Sequence, residues 1–320
     1  MRRTMHQLIE EYALDLRSRG RSEHTIRWYR QKLGHFGHYL QKRRESIERA
    51  DRGDLREFIL MLQKTKADAN NPYKGTRDCP LSPYTVKGYV QVIKGFSRWL
   101  VAEDYLPADP FRQVALPTVG KKEMDTVSDE QMEELVRAAG RSQNATRDTA
   151  LLWMLYGTGV RLSELTGLQV EDVHFSKGYA KVRGKGAKER LVPLGTKAQN
   201  ELARYLRERP ASEDGTLFLS HCRTPLTPSG VYRIVARIAR EARVRTSPHR
   251  LRHTFATQYL LNGGDPESLR LILGHETLDM TMRYVHLTQK HLSIQHQRYS
   301  PADALWARMR GGRRRPKALA

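Results

Sequence analysis

Cysteine is nearly absent from this 320-residue chain: Cys79 and Cys222 are the only two, far apart and with no CxxC partner. That excludes a disulfide framework and a thiolate metal site, and leaves two reduced thiols. Long hydrophobic runs are missing as well. No stretch approaches the roughly 18 uncharged apolar residues of a membrane span. The opening MRRTMHQLIEEYALDL is amphipathic and lacks a signal-peptide core, so the expectation is a cytoplasmic protein. The phosphate-cradling pattern GxxxxGK[ST] does not occur, and no carboxylate cluster suits two-metal catalysis. Acidic residues are scarce: 35 Asp and Glu stand against 56 Lys and Arg, a formal charge of +21.

What is present is an ordinary core-forming composition, 39% apolar and 28% charged, which argues against disorder. The length suits about two domains of roughly 150 residues each. So large a positive charge costs self-repulsion unless a polyanion neutralises it, and this favours a nucleic-acid partner.

The N-terminal part reads as helices. After the N-cap Ser22, apolar residues recur at Ile26, Tyr29, Leu33, Phe36 and Leu40, with Arg27, Arg30, Gln31 and Lys32 on the other face. A second helix opens at LSPYT, where Ser82 caps and Pro83 fills the first turn, and its stripe runs Val86, Tyr89, Val90, Ile93, Phe96, Leu100. Lys87, Lys94 and Arg98 lie off that stripe. Residues 107–127 carry three prolines without periodicity and read as an extended linker between domains.

Beyond it, Ser128 and Gln131 form a capping box. Leu151, Leu152, Met154 and Leu155 mark a buried helix stopped by GTG, and a short helix follows over 161–166. Three strand-like runs come next, 179–183, 190–194 and 217–220, the first two joined by a glycine-containing turn as a hairpin. Thr227-Pro228, Ser247-Pro248 and Asp265-Pro266 each open a further helix. The predicted class is α+β, mostly helical, with a small antiparallel sheet in the second half.

Several stretches carry chemistry. In TSPHRLRHTFAT, His249 and Arg252 share the first turn of a helix, where free N–H groups and the dipole favour an anion. His249 and His253 have the spacing of HExxH, but Arg250 stands where a metalloprotease needs its glutamate, so zinc is not indicated. In LYGTGVRLSELTGL, Arg161 follows a glycine break and is placed to reach a phosphate bidentately. In VRGKGAKERLVP, Lys185 sits at a hairpin tip between glycines. Taken singly, each also reads as a capped surface helix, a surface arginine or a polar hairpin.

Taken together, their order Arg, Lys, His-x-x-Arg, His, Tyr resembles the tyrosine recombinase (phage integrase) family. The likeness covers the whole chain: LSPYTVKGYVQVIKGFSRWL resembles the family's core-binding helix, TGVRLSELTGL its first-arginine motif and GKGAKERLVPL its lysine hairpin. SPHRLRHTFAT resembles the His-x-x-Arg motif, and LILGHETLDMTMRYVH the closing His-to-Tyr segment. The resemblance implies a helical, SAM-like core-binding domain over 1–106, a linker over 107–127, a catalytic domain over 128–300, and a C-terminal helix with a basic tail over 301–320. It also implies Arg161, Lys185, His249, Arg252 and His275 as the activating set and Tyr284 as the nucleophile. Glu164 would orient Arg161, His286 would support the site, and neither Arg250 nor His253 is assigned a catalytic role.

The implied reaction is metal- and cofactor-free DNA cleavage and rejoining through a 3′-phosphotyrosine. His249 would take the phenolic proton and Lys185 would protonate the leaving 5′ oxygen. The implied partner is duplex DNA with an inverted-repeat core site, bound by a homotetramer or with a second recombinase. Lys87, Lys94 and Arg98 are candidate DNA contacts. The amphipathic piece with Leu305, Trp306 and Met309 would either pass to a neighbouring subunit or fold back in cis. A simple Xer-like layout fits the short N-terminal domain. A type IB topoisomerase-like activity and a non-catalytic DNA-binding relative stand as alternatives.

Overall fold

The computed structural model describes residues 3–66, 79–120, 125–184, 188–211, 215–285, 296 and 300–309. The chain divides into two compact units, 1–122 and 123–320.

The first unit contains α1 (Met5–Ser18), α2 (Glu23–Lys42), α3 (Arg52–Lys64) and α4 (Pro83–Ala102). Ser22 and Ser82 each accept the backbone N–H three residues on, so α2 and α4 start at their N-caps with orphan donors satisfied. The predicted stripe of α4 is buried throughout, and that of α2 is buried except for a half-buried Tyr29. The stripes meet in an aromatic core in which Phe36 stands edge-on to both Phe58 and Phe111. Each large apolar side chain removed from water here contributes roughly 1.5–3 kcal/mol.

Two features depart from the sequence-based expectation. Phe111 and Val114 are buried in this core, so the front of the proline-rich segment belongs to the first unit and is not free linker. Lys32, placed by periodicity on the polar face of α2, is buried, with its ammonium 3.7 Å from the Tyr89 ring centroid and 4.8 Å from that of Trp28. Two aromatic faces replace part of its hydration. Burial lowers its pKa to about 8.

The second unit holds α5 (Asp129–Gly140), α6 (Ala145–Thr158) and α7 (Leu162–Thr166), then β1 (Val173–His174), β2 (Tyr179–Arg183) and β3 (Glu189–Pro193). These are followed by α8 (Thr196–Glu208), α9 (Pro228–Glu241), α10 (Pro248–Leu261), α11 (Pro266–Leu273), α12 (Asp279–Val285) and α13 (Pro301–Met309). α6 packs against α5, α8 and α10, and its residues 147–152 are all buried, which is why its sequence shows little amphipathic contrast.

The sheet is antiparallel in the order β1-β2-β3, with Tyr179 opposite Pro193 and Arg183 opposite Glu189. The expected hairpin is therefore formed. The apolar run 217–220 is not its third strand; that place is taken by Val173–His174. Leu217, Phe218 and Leu219 form a buried connector whose backbone is satisfied elsewhere. The Leu217 N–H donates to the Leu168 carbonyl at 2.8 Å, and that of Leu219 to the Tyr205 hydroxyl at 3.1 Å. Apolar content drove this segment inward without a ladder to join. Among the described residues no helix is long and apolar enough to cross a membrane.

Candidate active site

Two left-handed glycines build the floor of the site. Gly159 ends α6 at φ +61° and Gly274 ends α11 at φ +64°, a conformation that glycine adopts without penalty. A Cβ on Gly159 would stand 2.4 Å from the Phe255 ring, so that position needs glycine for space as well. The turns leave helix-terminal carbonyls without helical partners, and two arginines use them. Arg252 of α10 donates to the Gly159 carbonyl and, at 2.9 Å, to that of Leu273. Arg161, the residue before α7, donates to the Gly274 carbonyl at 2.8 Å.

Behind Arg161 lies Glu164, whose side chain is buried. It accepts the Arg161 backbone N–H and guanidinium, each at 2.8 Å. It also accepts a bidentate pair from Arg190 of β3 at 2.7 and 2.8 Å. Burial alone would raise this carboxyl, but the hydrogen bonds and charge of Arg190, with the Arg161 bonds, outweigh it and hold the pKa at about 2. Arg190 also donates to the Ile272 carbonyl at 2.8 Å, tying the hairpin to the end of α11. Arg252 is buried, and burial with the nearby charge of Arg161 brings its pKa down to about 10.

His275 follows Gly274 and is buried. Arg252 Nη2 approaches its Nε2 at 3.3 Å, and a guanidinium only donates, so Nε2 accepts. Nδ1 then carries the proton and donates to Thr281 Oγ1 at 2.8 Å. Burial, then the charges of Arg252 and Arg161, depress its pKa to about 4, so the ring is neutral at pH 7.

Tyr284 of α12 has only 1% of its surface exposed and packs among Ala256, Leu260, Leu269 and Leu273. Burial raises its pKa against the opposing pull of Arg252 and Arg283. The imidazole against its hydroxyl is that of His253, Nδ1 to Oη 2.8 Å. His249 stands one turn earlier on α10 with its ring centroid 4.2 Å from that of His253. Partial burial and the charges of Arg252 and Arg283 lower its pKa.

These groups open into one cleft of about 510 Å³, lined by Arg161, His249, Arg252, His253, His275 and Tyr284, with Arg283 at its rim. Five of the six positions that the sequence motifs single out are thus in the second unit's described part, and all five line this cleft. The sixth, Lys185, and the supporting His286 lie outside the described residues. Among the described residues no His, Cys, Asp and Glu group is arranged to hold a metal.

Arg190, Thr281 and His253 were not singled out by motif. Arg190 carries a signal nonetheless: strand alternation places it on the face of Val192 and Leu194, both buried, and an arginine on a core face needs a buried anion. His253 shares a helix face with His249 by its spacing of four, a pairing that spacing alone presents as a metal motif.

In the first unit, Lys94 donates to the carbonyls of Arg112 and Val114, so it anchors the segment after α4 and is not a free surface cation. Arg98 is exposed, its Nε on the Lys94 carbonyl at 3.1 Å, and Lys87 is half-buried.

Comparison with known proteins matches this architecture. Residues 125–291 match the phage integrase family and residues 9–71 the N-terminal SAM-like domain of phage integrases. The chain is 30% identical to the tyrosine recombinase XerD of Oceanobacillus iheyensis, over 92% of this chain and 98% of that protein. It is 34% identical to the tyrosine recombinase XerC of the same organism, over 88% and 91% of the two chains. In fold it is similar to XerH recombinase bound to a palindromic difH substrate, with a TM-score of 0.70 and 22% identity over 93% of this chain and 85% of that one. A lambda integrase dimer bound to a COC′ core site gives 0.69 at 18% identity, over 87% and 97%. By sequence over most of its length and by fold, this chain belongs to the phage integrase family: it is a tyrosine recombinase, an enzyme that cuts and rejoins DNA.

Proposed function

We propose that the cleft binds one phosphodiester of a specific duplex site and transfers it to Tyr284. The observation that carries this reading is the convergence of Arg161, Arg252, His275 and the Tyr284 hydroxyl on one cleft. A phosphodiester is an anion whose transition state gathers further charge on the non-bridging oxygens. Arg161 and Arg252 are fixed by carbonyls that orient them before substrate arrives, so no reorganisation is needed as that charge develops. His275, locked by Thr281 and Arg252, would hydrogen-bond the same phosphate, and Glu164 with Arg190 would hold Arg161 in place. His249, exposed in the cleft, would meet the phosphate or pass protons to solvent.

Attack of the Tyr284 oxygen on phosphorus would give a 3′-phosphotyrosine and a free 5′ hydroxyl, protonated by Lys185. The bond energy stays in the protein–DNA link, and rejoining to a partner strand reverses the step. The basic first unit, over the SAM-like region, would supply phosphate contacts to the duplex through Lys87 and Arg98. Its affinity would fall steeply with salt. The active assembly would be a tetramer on two inverted-repeat core sites, alone or with a second recombinase. The exposed Leu305, Trp306 and Met309 of α13 would supply an apolar contact to a neighbour. It would act in the cytoplasm on nucleoid DNA.

The test is incubation with a suicide substrate nicked near its core site. Wild type should form a covalent adduct resistant to denaturant, and Tyr284→Phe should form none. An adduct from Tyr284→Phe, or none from wild type on a site it binds, would remove the reading.

A further inference from the structure

Resting on Tyr284 as nucleophile, we infer that His253 is the catalytic residue that accepts the phenolic proton, with His249 as the next station toward solvent. The sequence motifs assign that proton to His249. In the folded chain the atom against the phenol oxygen is Nδ1 of His253, at 2.8 Å, within the range for direct proton transfer. The two imidazoles meet edge to face at 4.2 Å between centroids, and only the outer one is exposed. A proton leaving Tyr284 inward therefore reaches His253 first.

The surrounding charges keep His253 neutral until substrate arrives. His253 faces His249 and Arg252 from its own helix, Arg283 and Tyr284 from α12, and shares the cleft with His275. Burial and those cations bring its pKa to about 4, so in the resting enzyme its ring is neutral, and with its one proton on Nε2 the Nδ1 atom accepts the phenol O–H. Arg283 also hydrogen-bonds with the phenol, which leaves the oxygen's proton for the imidazole. The phosphate adds the negative charge that the resting site lacks, and that charge favours the imidazolium at the moment it forms.

The step balances. The Tyr284 O–H bond breaks and its proton passes to Nδ1 of His253, while the phenolic oxygen forms the bond to phosphorus. The bond from phosphorus to the 5′ oxygen breaks, and the general acid protonates that oxygen. The His253 imidazolium gives a proton through His249 to water. Rejoining runs the same path backwards, with His253 returning a proton to the tyrosine.

His253→Asn keeps a hydrogen-bonding atom near the position of Nδ1 but cannot take up a proton. Measured by single-turnover adduct formation on the suicide substrate, it should react on the order of 100-fold slower than wild type or worse. Its rate should climb about tenfold per pH unit as hydroxide replaces the base, whereas wild type levels off. Imidazole added to His253→Gly should restore part of the rate, which a purely structural role would not allow. The inference is overturned if His253→Asn reacts within about threefold of wild type with the same pH profile while Tyr284→Phe is inactive. In that outcome the nucleophile stands and only the acceptor is reassigned. Reaction by Tyr284→Phe would instead sink the underlying reading. Because the substitution could impair folding, the ¹⁵N shift of Nδ1 in histidine-labelled wild type decides independently: an unprotonated Nδ1 supports acceptance, and a protonated one overturns it.

Discussion

The guanidinium of Arg190 lies flat against Gly274, so that a Cβ there would stand 2.9 Å from Nη1 and 3.0 Å from Cζ. Arg190 cannot retreat, because both its terminal nitrogens are held by Glu164 and its Nε by the Ile272 carbonyl. The same glycine presents its carbonyl to Arg161. One residue without a side chain thus lets a strand arginine, a buried carboxylate and a cleft arginine share a single turn.

Gly274→Ala should therefore lower stability by about 1–2 kcal/mol for the left-handed backbone alone, read from the urea midpoint, and should abolish most adduct formation. Gly274→Asn tolerates the backbone but still crowds Arg190. It should recover much of the stability and little of the activity. Recovery of both would show that the close approach is not what matters.

Glu164 is held at a pKa of about 2, below its unfolded value. A depressed carboxylate contributes stability that is complete above the unfolded pKa of about 4.3 and is lost as pH falls toward 2. Glu164→Gln should cost about 3 kcal/mol at neutral pH and remove that part of the acid dependence. The check is urea unfolding at several pH values. An unchanged acid limb in the variant would show that another carboxylate is responsible.

The histidines act in the same direction at higher pH. His253 and His275 both titrate near 4 when folded, against about 6.5 unfolded, so the unfolded chain binds their protons first. Folding stability should then fall as pH drops from 7 to 5, on the order of 2 kcal/mol per group. His275→Asn, which can keep a bond to Thr281, should flatten the dependence of the thermal midpoint on pH. A slope as steep as that of wild type would mean that the ring is not kept neutral.

The lysines of α4 should separate by role. Lys94→Met removes the anchor of residues 112–114 and should cost about 1 kcal/mol of stability with DNA affinity nearly unchanged. Lys87→Gln should leave stability alone and reduce the slope of log affinity against log salt by about one. A large loss of affinity in Lys94→Met would restore it as a DNA contact.

Much of this protein was legible without coordinates wherever the signal is local. Ser22, Ser82, Ser128 and Ser247 all cap the helices they announce, and the prolines after Ser82, Thr227, Ser247 and Asp265 sit in first turns. The apolar run 217–220 misled because apolar content marks burial and not pairing. Lys32 misled because the Tyr89 ring that joins Trp28 around its ammonium arrives from α4, and the helical period of α2 carries no information about it.

The sequence by itself determined the chemistry: which cations, imidazoles and phenol are available, and in what order, because residue identity and motif spacing are written in one dimension. Only the tertiary structure decided the pairings. That Arg190 rather than solvent satisfies Glu164, and that His253 rather than His249 meets the phenol, depends on how β3, α10 and α12 converge around two left-handed glycines. Hydrogen bonds act over about 3 Å, and which atoms come that close is set by packing between segments far apart in the chain.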